Sequence, residues 1–161
     1  LIHSAKAAIK NPHDYEARSN IMWSATIGLN TITGLSKQQD WEVHMIEHQL
    51  GAYTDCTHGA GLAAISVPYY KYICSFGIDK FVRFAKNVWG INTEGMDKSS
   101  AAAAGIEKLK DFIVEIGMPL TLRELGATED MLPLIAKSAV PGGGYKQMTE
   151  KDILNVLKEC Y

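Results

Sequence analysis

The sequence predicts an all-α fold, a single multi-helix domain over residues 1–161. Three observations predict it. Apolar residues recur at helical spacing along most of the chain, capping residues precede those stretches, and alternating strand patterns are nearly absent. A domain of this length buries roughly 68–70% of the surface its unfolded chain exposes, enough for a real core.

The elements follow in order. Residues 1–10 read as part of an amphipathic helix. Asn11-Pro12 reads as a cap followed by proline at the first helical position, with Asp14 in the first turn, opening a helix from Pro12 to about Thr33. Ile21, Met22, Ala25, Leu29 and Ile32 form its apolar stripe, and Gly34 closes it. Asp40 caps a helix from Trp41 to about Tyr53. A short loop through Asp55-Cys56-Thr57 leads to His58-Gly59, and Ala60 to Cys74 reads as a helix with a break or kink at Pro68.

Ile78 to Trp89 is amphipathic and stops at Gly90. Asp97 caps a longer helix to about Ile116, with Ala102, Ile106, Leu109, Ile113 and Ile116 on one stripe. Thr121 and Glu124 make a capping box, and Thr128 opens a helix through Ala139. Pro141-Gly142-Gly143-Gly144 is the one flexible stretch; with no Lys-Ser/Thr after it, it is not a phosphate loop. Thr149 with Asp152 starts a final helix reaching Tyr161. No internal repeat and no boundary divides the chain.

Composition excludes several classes of function. The 16 basic and 18 acidic side chains are scattered and leave a formal charge of −2, so there is no basic stripe for nucleic acid. No apolar run approaches the roughly 18–20 residues of a membrane span. Cys56, Cys74 and Cys160 are an odd number at long spacings, which predicts free thiols and a reducing, cytoplasmic setting. The chain opens on Leu1-Ile2-His3, with neither a start Met nor a signal-peptide pattern, so a piece of a longer protein is expected.

The chemistry concentrates in Trp41-Glu42-Val43-His44-Met45-Ile46-Glu47-His48 and in Asp55-Cys56-Thr57-His58-Gly59. A helix stacks His44 and His48, four apart, on one face, and His58 follows after a turn that could fold it back toward them. Imidazoles on converging elements can hold a divalent transition metal. Taken alone, the spacing more often belongs to surface histidines or satisfied core ones than to a metal site. Asp40, His44 and His48 also mimic a metal triad, but positions eight apart on a helix are about 12 Å apart along its axis. Metal–ligand bonds of about 2 Å cannot gather both ends, so Asp40 reads as a cap.

Glu47 reads as a local partner rather than a base, and Cys56 as a small buried hydrophobe rather than a ligand. His3 and His13 are expected on the surface. Trp23, Trp41 and Trp89 suit the core, with Trp41 placed to wall a cleft beside the histidines.

The run Asp40-Trp41-x-x-His44-x-Ile46-Glu47-His48-x-Leu50, followed by His58-Gly59-Ala60-Gly61-Leu62-Ala63, resembles the signature of the iron-containing (group III) alcohol dehydrogenases, in their butanol-dehydrogenase-like branch. Ala17, Arg18, Met22 and Ala25, the Phe81 to Trp89 segment and Thr149-Glu150-Lys151-Asp152-Ile153 extend the resemblance over nearly the whole chain. It implies the C-terminal, helical metal-binding domain of the dehydroquinate synthase-like fold, without the dinucleotide-binding half.

The resemblance makes His44 and His58 metal ligands. His48 lines the cleft without bonding the metal, positioning the nicotinamide or relaying a proton. Gly59, with Gly61, fits a place where backbone approaches a flat ring or, equally, another helix. The first two ligands, an Asp-x-x-x-His pair upstream of Asn11, are absent from this chain.

The implied cofactors are a divalent metal, Fe2+ first and Zn2+ second, and NAD(P) in the intact enzyme. The metal would polarise the oxygen of a small alcohol or aldehyde for hydride transfer. The chain alone is expected to be inactive. No nucleic acid or membrane partner is implied, and a homo-oligomer is compatible. The competing reading is a stand-alone helical binding or interaction module with structural histidines.

Overall fold

The computed structural model describes residues 1–161 and contains eight α-helices, three short 3-10 turns and no strand. The chain divides into two compact units, 1–39 and 40–161. Nothing in the residue pattern announces this division. Thr31 and Ser36, which adopt left-handed backbone near it (φ 61° and 60°), are not glycines.

In the first unit α1 (Ile2–Lys10) packs on α2 (Tyr15–Leu29), and a 3-10 turn follows at Ile32–Gly34. α2 starts later than the sequence pattern predicts. Asp14 is its cap, its carboxylate accepting the Ala17 N–H, whereas Asn11 ends α1 and its side chain accepts the His13 N–H. The predicted core stripe faces outward: Met22, Leu29 and Ile32 are each more than half exposed, and so is Trp23, which the sequence placed in the core. Two helices bury only the faces they share, and in α2 that leaves Ala17 alone buried.

The second unit holds α3 (Glu42–Thr54), α4 (His58–Ile73), α5 (Ile78–Trp89), α6 (Lys98–Glu115), α7 (Met131–Ser138) and α8 (Glu150–Cys160). α4 is the central helix, packed against α3, α6 and α8, while α5 lies on α6 and α7 touches both α3 and α8. Ile46, Leu50, Ile65, Ile106, Ile135, Ile153 and Leu157 are fully buried in the shared core. Each such side chain contributes about 1.5–3 kcal/mol of apolar burial.

That packing explains why α4 continues as one helix through Pro68, where the sequence predicted a break or a kink. An interior proline costs about 3 kcal/mol, and the neighbours of Pro68, Val67 and Tyr69, are buried against the surrounding helices.

Caps set the other boundaries. Asp97 accepts the Ser100 N–H and starts α6; Thr149 and Asp152 form the reciprocal capping box of α8. Thr121 and Glu124 also bond reciprocally, but that segment makes only a 3-10 turn at Arg123–Leu125, ended by Gly126 in left-handed backbone. α7 consequently begins at Met131 rather than at Thr128.

Within the stretch 141–144, expected to be flexible, the Gly142 carbonyl accepts the Met148 N–H at 2.8 Å. Lys146 is in turn ion-paired to Asp152. All three cysteines are free, and no helix is long and apolar enough to cross a membrane.

Candidate metal centre

Helix periodicity places His44 and His48 one turn apart on α3. α3 ends where Asp55 takes left-handed backbone (φ 55°), its N–H bonded to the Gly51 carbonyl at 2.8 Å. Three residues, Asp55 to Thr57, reverse the chain and deliver His58 as the first residue of α4.

The result is a triangle of imidazoles. Ring centroids lie 5.4 Å apart for His44 and His58, 5.5 Å for His48 and His58, and 6.3 Å for His44 and His48. Trp41 packs edge-on against His44 at 5.0 Å, half-buried at the margin of the cluster.

Asp40 stands apart from the triangle. One of its oxygens accepts the Glu42 N–H at 3.0 Å and the other accepts the Tyr69 hydroxyl at 2.8 Å. Both are engaged beside the start of α3 and against α4, but α3 begins at Glu42 with Trp41 in the N-cap position and no side-chain cap bond, so Asp40 stands one residue before the cap the sequence expected it to be. Cys56 packs partly buried against the core. His3 and His13 are exposed, in the other unit.

Glu47 is the residue whose importance sequence reasoning understated. Its carboxylate is bonded to Nδ1 of His58, and its side chain is only 3% exposed while that of His58 is 51% exposed. A carboxylate oxygen of Glu47 and a ring nitrogen from each of His48 and His58 lie within 4.8 Å of one another. The one advance signal was its place on the helix, one turn after His44 and next to His48.

The two glycines part company. A Cβ on Gly61 would sit 2.6 Å from Glu47 Cγ and 2.9 Å from its Oε1, so Gly61 makes room for the buried carboxylate. A Cβ on Gly59 would meet nothing within 4 Å.

Burial lowers the pKa of His44, and the neighbouring His58 and His48 push it down further against the opposing pull of Glu47. The neutral ring that results is the form that ligates metal. The ring nitrogens of His48 and His58 beside the Glu47 carboxylate, a close group that does not include His44, with the His44 ring centroid 5.4 Å from that of His58, are donors of the kind that suit a divalent transition ion.

A second buried acid, also unforeseen, lies at the start of α3. Glu42 is fully buried and neither of its oxygens has a well-formed hydrogen bond. Burial raises its pKa to about 7, with the Gly142 backbone N–H pulling it down and Asp40 pushing it up.

Comparison with known proteins identifies relatives of the chain. The family model for the C-terminal part of the Fe-containing alcohol dehydrogenase family matches residues 1–161. The chain is 36% identical to NADH-dependent butanol dehydrogenase A of Clostridium acetobutylicum, over 99% of this chain and 42% of that protein. It is 32% identical to the NADPH-dependent aldehyde reductase YqhD of Escherichia coli, over 100% of this chain and 41% of that protein.

The crystal structure of NADH-dependent butanol dehydrogenase A from Thermotoga maritima superposes with a TM-score of 0.89 at 31% identity, covering 98% of this chain and 42% of that one. The chain thus spans about two fifths of the length of the relatives it matches. On the family match over residues 1–161, the percent identities and the shared helical architecture, the chain belongs to the Fe-containing alcohol dehydrogenase family, as its C-terminal helical domain.

Proposed function

We propose that this chain supplies the metal- and substrate-holding part of an NAD(P)-dependent alcohol dehydrogenase or aldehyde reductase, with the metal held by His44 and His58. The gathering of three imidazoles, every pair of centroids within 6.3 Å, is the observation that carries this reading. Iron(II) is the expected ion and zinc(II) the alternative. Two further ligands, an Asp and a His, are expected from the part of the longer protein that this chain does not span.

A divalent ion supplies Lewis acidity toward a substrate oxygen there, and the nicotinamide carries the hydride. The chain's own residues do the rest. Burial keeps His44 neutral and ready to ligate. His48 stays exposed at the rim, where a ring nitrogen can accept the alcohol proton and hand it to water. Gly59 leaves open space in which the flat nicotinamide ring can approach the backbone. The substrates are small alcohols and aldehydes, as the names of the relatives indicate for those proteins.

The test is a comparison of two preparations. The 161-residue chain, given butanol and NAD+ or butyraldehyde with NADH or NADPH in the presence of Fe2+ or Zn2+, is expected to show no turnover. The longer protein is expected to show turnover that chelation removes and added metal restores. Turnover by the chain alone, or turnover indifferent to chelation, would overturn the proposal.

A further inference from the structure

We propose that Glu47 is the positioning residue of the metal centre: its buried carboxylate holds the His58 ring by Nδ1–H and thereby presents Nε2 to the ion. This rests on the reading of His58 as a ligand.

Three observations support it. First, His58 is the first residue of α4, and its side chain is half exposed beside the His44 and His48 rings, so a polar partner is what fixes the ring's tautomer. The contact with Glu47 Oε2 is the hydrogen bond that does. Second, Glu47 is anchored from below. At 3% side-chain exposure it has little rotamer freedom left, and it rises from α3, whose Ile46 and Leu50 are fully buried. Third, the opposing helix is shaped around it. Gly61 leaves a space that a Cβ would close at 2.6 Å from Glu47 Cγ, so the carboxylate rests against the first turn of α4. That is the end of a helix where a negative charge is stabilised.

The chemical consequence follows from the two nitrogens of imidazole. A neutral ring that donates from Nδ1 has its lone pair on Nε2. A carboxylate acceptor at Nδ1 therefore fixes the tautomer and the ring plane, and makes Nε2 the better donor to metal. Glu47 needs no bond to the ion to do this.

The experiment joins ring 15N NMR of the metal-free protein with calorimetric Zn2+ titration of variants. In the parent protein at pH 8, His58 is expected to show the shift pattern of an Nδ1-protonated ring. Glu47→Ala is expected to return the ring to the Nε2-protonated form that free histidine prefers and to weaken Zn2+ binding about 10–100-fold.

Glu47→Gln, whose amide oxygen can still accept from Nδ1, is expected to keep the tautomer and lose less affinity. Gly61→Ala is expected to reproduce much of the Glu47→Ala loss by displacing the carboxylate. An Nε2-protonated His58 in the parent protein would overturn the proposal without any variant. So would Glu47→Ala binding Zn2+ as tightly as the parent, while His58→Ala binds weakly. A loss in Glu47→Gln as large as in His58→Ala would make Glu47 a ligand itself and overturn it too. If His44→Ala and His58→Ala both left Zn2+ binding unchanged, the ligand assignment would fall, while the tautomer measurement would still judge the hydrogen bond.

Discussion

Replacing Glu42 by glutamine is expected to change the pH dependence of folding stability in a calculable way. The carboxyl is fully buried, and burial lifts its pKa from 4.5 to about 7. The folded chain therefore holds this proton between about pH 4.5 and pH 7, where the unfolded chain has released it. Stability falls as pH rises through that window, because the folded state binds more protons there than the unfolded state.

At roughly 1.4 kcal/mol per pH unit, the loss from this group is on the order of 3 kcal/mol once it is complete. Glutamine has a similar shape and no charge at any pH, so Glu42→Gln removes the slope. Urea unfolding of the metal-free parent and variant at pH 5, 6, 7 and 8 measures it. The parent is expected to lose on the order of 3 kcal/mol more than the variant between pH 5 and pH 8, with unchanged m-values. Parallel curves, or a gap that opens below pH 4.5 instead, would refute the reasoning that Glu42 is buried without adequate partners.

Other perturbations have equally definite outcomes. Tyr69→Phe removes the hydroxyl bonded to Asp40; leaving that carboxylate oxygen unsatisfied should cost about 1–3 kcal/mol in urea unfolding. Ile65→Ala in the fully buried centre of α4 should cost about 2–5 kcal/mol, measured the same way. Thr149→Ala breaks the capping box of α8 and should cost about 1 kcal/mol. Asp152 adds an acid-side effect. Burial would raise its pKa, but hydrogen bonds from Lys146, Tyr72 and Thr149 outweigh it and hold the carboxyl well below its usual range. Its stabilisation is therefore full at neutral pH and lost as pH falls below about 4, so Asp152→Asn should flatten the acid limb of the unfolding curve.

Local chemistry was legible in the sequence where one residue decides the outcome alone. Ile78 to Trp89 stops at Gly90, Asp97 starts α6, and Thr149 with Asp152 starts α8, all as read. Features that depend on what packs nearby were not. Pro68 breaks an isolated helix, but α4 is surrounded and continues. Asn11 has the residue type of an N-cap and instead ends α1. Met22, Leu29 and Ile32 make a stripe whose periodicity says nothing about whether anything covers it, and in this unit they stay exposed.

The histidines divide the same way. Their types and spacing on α3 and after the turn were visible at once. The partner of His58 was not, because Glu47 faces it only after α3 and α4 have folded against each other and Gly61 has made room.

The account turns on where a metal sits among these side chains. Anomalous diffraction from crystals of the protein grown with Zn2+ locates it directly. A peak about 2.0–2.1 Å from a ring nitrogen of both His44 and His58, with His48 outside the coordination shell, is the predicted result. A peak coordinated by Glu47, His48 and His58 with His44 uninvolved, or no peak at the triangle, would contradict it.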